Sequence, residues 1–199
     1  MSASGSRAAT VRLVGGRPFL DLVNTVSWRG ETGRHEEHLV TVGDAVTWCV
    51  RAGVVTPAEA DVLGSASPRL VDRLHALREL IATELVDAAE PGYAALQAAV
   101  LDAVTHAELV EEDGRAGWRV SALDDDTPAR RIAADLYAYL SDPRGRLGVC
   151  ADEACRWAFV DTSKRGDRRW CSSADCGNRH RVRRHQQRLR RSAVGGSEE

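Results

Sequence analysis

The 199-residue sequence contains one lysine, two phenylalanines and one methionine, and four of its five cysteines crowd into the last quarter. No apolar run approaches the roughly 18 residues that a bilayer crossing needs, which excludes a membrane partner of that kind. No apolar secretory stretch follows Met1, which argues against an oxidising compartment and against paired disulfides, so the expected location is the cytoplasm. No internal repeat is present. With lysine almost missing, the cationic charge falls on 26 arginines, a bias that coding composition and function can both produce.

Local absences exclude two further readings. Residues 41–63 suggest two short helices joined at Gly53, as in a helix-turn-helix, but they hold only Arg51 against Asp44, Glu59 and Asp61, and phosphate would repel so acidic a reader. Asp124-Asp125-Asp126 lacks the further acidic and glycine positions of a calcium loop, which leaves a solvated turn ahead of a helix. His35 and His38 flank Glu36-Glu37 in an expected loop and are a weak candidate for a second metal site. Cys49, alone in a helical pattern, reads as a core thiol.

The overall charge of −2 conceals a sharp asymmetry. Residues 1–143 carry 13 arginines against 22 acidic residues, a balance of −9, whereas residues 144–191 carry 14 cationic side chains against 5 acidic ones, a balance of +9. Such a division points to a nucleic acid or another acidic partner for the second part.

That second part opens with Cys150, Cys155, Cys171 and Cys176, two pairs with four residues inside each and fifteen between. Four thiolates at this spacing can close a tetrahedral structural site, so one structural zinc ion is expected. Trp157, Phe159 and Asp161 alternate as a strand would, and Lys164-Arg165-Gly166-Asp167 reads as a hairpin tip returning through Arg168-Arg169-Trp170. Ser172 and Ser173 are helix N-caps, and the helix they start carries Cys176. Turn, hairpin and helix with ligands at both ends is a treble-clef layout, and about forty residues of this kind need the metal to fold.

Beyond Gly177 the helix presents one narrow apolar stripe, in which Val182 and Leu189 lie within about 20° of each other near His185. Arginines occupy most of the remainder. Like charges at three- and four-residue spacing destabilise a free helix, so a polyanion would relieve a real cost. The residues expected to touch nucleic acid are Arg179, Arg181, Arg183, Arg184, Arg188, Lys164, Arg165, Arg168 and Arg169, with double-stranded DNA as the partner.

In the front part, residues 1–10 are small and polar, and Val11–Val14, Gly15-Gly16 and Phe19–Val23 read as a β-hairpin. Asp21, Asn24 and Thr25 interrupt that buried-looking run. They either stitch a turn or line a pocket for a small-molecule effector, and stitching is the favoured reading. Helices are expected over about 41–52, from Thr56-Pro57, from Ser67-Pro68 (the longest) up to Pro91-Gly92, over 93–105 and over 128–140, with a hairpin at 108–120.

The run from Cys171 to Arg179, with Phe159–Lys164 and Arg168–Trp170 before it and Arg183-Arg184 after it, resembles the CGNR zinc finger, whose signature is Cys176-Gly177-Asn178-Arg179 here. Gly15-Gly16-Arg17 followed by Asp21–Thr25 resembles the ABATE domain that commonly precedes this finger in bacterial proteins. The resemblance implies a stress-induced transcription regulator that binds DNA. No enzyme is expected, because His180 and His185 lie on a helix among arginines with no nearby acidic partner for the magnesium of a nuclease. The expected fold class is α+β: a mainly helical N-terminal domain with β-hairpins, then a small treble-clef-like zinc finger ending in a basic helix. The expected divisions are a disordered tail at 1–10, an ABATE-like domain at 11–143, the finger with its basic helix at 144–191 and a disordered tail at 192–199. The function expected is zinc-dependent DNA binding with a front domain for sensing or association, homo-oligomers included. The alternative is an RNA- or protein-interaction module on the same scaffold, in which Trp157 is exposed for stacking.

Overall fold

Two threonines set the first boundaries. Thr41 and Thr56 each accept a hydrogen bond from a backbone N–H three residues on, while Asp44 and Glu59 reach back to the capping residue's own N–H. These reciprocal caps open helices α3 (Val42–Arg51) and α4 (Pro57–Leu63). The structure, a computed structural model, describes residues 6–112 and 114–195, with the side chains of Glu112, Arg115 and residues 192–195 excepted. Ahead of α3 lie two short helices, α1 (Arg7–Thr10) and α2 (Pro18–Val23), and the two-residue strands β1 (Val26–Ser27) and β2 (Glu36–Glu37), paired antiparallel. After α4 come α5 (Arg69–Ile81), α6 (Tyr93–Thr105), the antiparallel ribbon of β3 (Ala107–Glu112) and β4 (Arg115–Val120), and α7 (Thr127–Ser141). The last part holds the antiparallel pair β5 (Arg146–Val149) and β6 (Ala158–Asp161), then the 20-residue helix α8 (Cys176–Gly195).

The apolar periodicity of α5 and α7 lays Leu70, Leu74 and Ile81 against Ile132 and Leu136, and Phe19, Leu20 and Leu22 of α2 complete the layer. Each of these side chains is fully buried, and truncating one such leucine costs about 2–5 kcal/mol. Trp48 and Cys49 join the same core from α3, and burial pushes the Cys49 thiol up to about 12, as suits an inert core group. Ala158 and Val160 of β6 belong to this core too. The front part and the cysteine-rich part are therefore packed on each other.

Several local expectations change. Residues 18–23 form a helix rather than a hairpin arm, because Pro18 supplies a preset first turn and Asp21 Oδ1 accepts from Gly15 N at 2.8 Å, folding the chain back over α2. A Cβ on Gly15 would sit 2.8 Å from Asp21 N, so the turn needs glycine. Residues 7–10, expected to be disordered, form α1 with Ala8 fully buried. The helix from Arg69 gives way after Ile81 to a wider π turn at Ala82–Val86 that keeps Leu85 in the core, and α8 rather than α5 is the longest helix. Residues 192–195, placed in a tail, continue α8, and residues 196–199 and 1–5 lie outside the described residues.

The acidic triplet is not simply solvated. Asp126 faces Arg69 at 2.9 Å and Arg73 at 2.7 Å, Asp124 pairs with Arg130 at 3.0 Å, and Asp125 bonds Ser67, so the triplet ties the start of α7 to α5. In the last part, β6 pairs with β5, which precedes the first cysteines, and not with Arg168–Trp170. The loop 162–170 instead wraps back, with Arg168 N donating to Asp161 Oδ2 at 2.8 Å. The helix begins at Cys176, after the turn in which Ser172 Oγ accepts from Asp175 N.

Candidate metal centre and basic helix

The four cysteines converge because two turns face each other. Cys150 and Cys155 bracket the connection between β5 and β6, where Cys155 N donates to Asp152 O and Cys150 N to Trp157 O, both at 2.8 Å. Cys171 precedes the turn into α8, and Cys176 is that helix's first residue. All four sulfurs are buried and lie within 4.8 Å of one another, with Cys155 to Cys171 at 3.7 Å and Cys171 to Cys176 at 3.5 Å. Zinc–thiolate bonds of about 2.3 Å in a tetrahedron place sulfurs about 3.8 Å apart, so the donors and their spacing fit one structural zinc ion. Without a cation the thiols compete for charge. Hydrogen bonds from Cys155 and Cys171 push Cys150 down to about 2, its partnership with Cys150 pushes Cys155 up to about 12, and burial raises Cys176. A divalent cation allows all four to ionise together. Among the described residues no other cluster could hold a metal, and His38 is engaged with Ser27 Oγ at 2.7 Å.

Around the sulfurs sits a second layer built from charged side chains. Arg179 Nη2 donates to Cys176 Sγ at 2.9 Å and to Asp152 Oδ2 at 3.1 Å, and its guanidinium lies 4.8 Å from the Trp28 ring centre. Asp152 is almost wholly buried, and Arg183 approaches the same oxygen at 3.6 Å. Arg168 stacks 4.1 Å from the Phe159 ring centre and donates to the carbonyls of Val14, Trp170 and Cys171. Both arginines thus hold the finger together from within.

The front part reaches the finger through Asp21 and Asn24, while Thr25 is held within the front part. Asn24 matches the Ala158 peptide on both sides, donating from Nδ2 to its carbonyl and accepting from its N–H, each at 2.8 Å. Asp21 fixes Gly15, whose carbonyl accepts from Val160 N at 2.8 Å. Thr25 Oγ1 donates to Leu22 O and accepts from Arg78. All three side chains are buried, and these protein partners account for their polarity without a ligand. Trp157 Nε1 adds a bond to Val26 O at 2.8 Å, and Gly30 N donates to Ala154 O where a Cβ would strike Glu153 O. Trp157 is half-buried and packed against the core.

The exposed cations lie elsewhere. Residues 181–191 of α8 are all exposed, and Lys164, Arg165 and Arg169 are exposed in the preceding loop. Arg181 donates to Ser173 O at 3.2 Å, and Arg169 lies 5.5 Å from the Trp170 ring centre. Among the described residues Arg184, Arg190 and Arg191 have no acidic partner, while Arg188 has an interaction of its own.

Residues 16–143 match the ABATE family model, described as "Putative stress-induced transcription regulator". The chain belongs to the ABATE family. Residues 146–189 match the CGNR zinc finger, which takes in all four cysteines and most of α8. No curated protein matches the sequence. No described helix is long and apolar enough to cross a membrane.

For this ABATE protein, the spacing rule finds the four ligands of the CGNR finger but misses what surrounds them. Asp152, two residues after Cys150, and Trp28, far away in sequence, both support Arg179. An acidic residue inside a ligand pair and an arginine three residues after a ligand are the available signals, and neither identifies its partner. Trp170 and His180 stack at 4.8 Å, a contact visible only once the loop is placed.

Proposed function

We propose that this ABATE-family protein is a zinc-dependent DNA-binding transcription regulator that presents α8 to the duplex. The observation that carries the reading is the exposed, arginine-dense surface over residues 181–191 on a helix whose first residue is a metal ligand. At 1.5 Å per residue the 20-residue helix is about 30 Å long, enough to lie along or across a major groove. Arg181, Arg183, Arg184, Arg188 and Arg190, with Lys164 and Arg165 from the loop, are the contacting set. Arg168 and Arg179 act indirectly, by fixing the finger that aims the helix. The metal holds Cys176, hence the start of α8, against the β5–β6 hairpin, which couples helix direction to metal content. An effector or association role for residues 16–143 accompanies this reading.

Binding of the zinc-loaded protein to a random duplex library, followed by fluorescence anisotropy across a salt series, tests the proposal. Five to seven phosphate contacts give a log–log salt slope of about −4.5 to −6. Chelation should abolish the binding. Equal duplex affinity with and without chelator, or preference for single-stranded RNA over every duplex, overturns the reading.

A further inference from the structure

The β3–β4 ribbon stands out from the core with two unlike faces. Register places Glu108 opposite Arg119 on one face, an opposite-charge cross-strand pair suited to water. The other face sets Ala107 opposite Val120, Leu109 opposite Trp118 and Glu111 opposite Ala116. Val120 is buried at the base, yet Leu109 is 63% and Trp118 74% exposed. An isolated two-stranded ribbon is marginal in water, and an exposed tryptophan next to an exposed leucine on such a ribbon marks a surface lacking its partner. Beside it runs a groove of about 570 Å³ between Trp118 and the apolar residues Pro18, Val50, Val54 and Val55, with Arg131, Glu59 and Asp135 in its wall.

We propose that this ribbon face and groove form a homodimer interface, in which Trp118 of each copy enters the groove of the other. The patch carries both a projecting indole and a cavity able to receive one, which is the condition for a two-fold, self-complementary contact. Antiparallel crossing of two ribbons brings the tip of each over the base of the other. Glu111, near the tip, has no partner among the described residues, and the crossing carries it to the base, where Arg131 donates to Val120 O at 3.0 Å and pairs with Glu59 at 2.7 Å, so Glu111 joins an existing ion pair there. Fourteen residues line the groove and four more complete the ribbon face, close to the roughly 20 residues a side of a standard interface. Residues 1–5 and 196–199 are small or polar apart from Met1 and do not match the apolar chemistry of this surface. The interface does not depend on DNA binding. If α8 does contact DNA, the dimer supplies two such helices for two half-sites.

Sedimentation equilibrium of the zinc-loaded full-length chain tests this, with Trp118→Asp and Leu109→Glu measured alongside. The wild type should dimerise, and Trp118→Asp should raise the dissociation constant by about 30-fold or more, as loss of a central aromatic anchor does. Leu109→Glu, which puts a charge beside that anchor on the same face, should weaken dimerisation by about 10-fold. The far-UV circular dichroism and zinc content of both variants should stay at wild-type values, since both side chains are exposed. If Trp118→Asp perturbs the fold, Leu109→Glu makes the same test. A wild type that stays monomeric up to about 100 μM, or a dimer that survives both Trp118→Asp and Leu109→Glu, overturns the proposal.

Discussion

In the helical region Arg78 and Arg130 are buried and each holds more than one carboxylate, Glu37 and Glu79 for the first and Asp102, Asp124 and Asp126 for the second. Arg131 grips Glu59 with two hydrogen bonds of 2.7 and 2.9 Å. Along α8, by contrast, Arg184, Arg190 and Arg191 face solvent with no acidic neighbour among the described residues. The same side chain is an internal cross-link in one region and an unneutralised surface in the other. What separates the two is the supply of acids: 22 lie before residue 144, and none lies between Cys176 and Arg191. Arg168 and Arg179 show that position in the finger does not decide the role, because both turn inward to carbonyls, Asp152 and a ligand sulfur.

The comparison breaks most completely if the metal is removed. Structural zinc in small fingers contributes on the order of 10 kcal/mol to folding, so chelation or Cys171→Ser should unfold the finger while leaving most of the helical core intact. Zinc content should fall from one ion per chain to none, and near-ultraviolet circular dichroism should lose the Trp157 and Trp170 signals. A finger that keeps those signals without metal would show that the contacts of Asn24 and Arg168 suffice.

Arg78→Ala comes next. It removes a buried guanidinium from the half-exposed Glu37 and from Glu79, which keeps Arg29, a loss of about 1–3 kcal/mol, read by urea denaturation. Salt-dependent DNA binding per folded molecule should not change. A change in salt slope would mean that the front arginines are not purely internal.

Two carboxylates respond to pH in opposite senses. Burial pushes Asp21 up to about 6, so the folded chain binds a proton that the unfolded chain releases near pH 4, and stability from this group falls as pH rises from about 4 to 6. Asp21→Asn keeps the oxygen that accepts from Gly15 N and removes the charge. Its advantage over wild type should grow by on the order of 2–3 kcal/mol across that window, measured by denaturation at each pH. A constant difference between the two proteins rejects this account. Hydrogen bonds from Arg131 hold Glu59 down at about 2, so its contribution is present above about 4.5 and is lost as pH falls towards 2.

The smallest effect separates surface from cross-link most finely. Arg184→Ala should leave the melting temperature within about 1–2 °C, consistent with a surface change under about 0.5 kcal/mol, and should reduce the salt slope by about one. Arg179→Ala should do the reverse, speeding zinc loss to a competing chelator by disconnecting Asp152 and Cys176 while changing the slope little. If both variants behave alike, the distinction between inward and outward arginines fails.

Much of the local architecture is legible in the sequence. The spacing of Cys150, Cys155, Cys171 and Cys176 identifies the metal centre, and Thr41 and Thr56 with their acidic partners mark two helix starts. The alternation around Glu112-Asp113-Gly114 marks the ribbon, whose tip residue Asp113 lies outside the described residues. The arm at Phe19–Val23 misleads because α2 is buried all round, Asp21 included, so it carries neither a helical nor a strand period. The β5–β6 pairing misleads for a different reason. Arg146–Val149 is too short to carry a period of its own and becomes a strand because β6 lies beside it.

By itself, then, the sequence determined what acts over a few residues: ligand spacing, helix caps and the charge of α8. Tertiary structure alone decided which polar group meets which. Asn24 finds Ala158 from 134 positions away, and Arg179 finds Trp28 across a similar gap. No local signal encodes such partners, since an unpaired buried amide or carboxylate is costly wherever it lies and only packing of distant segments supplies the matching donor or acceptor.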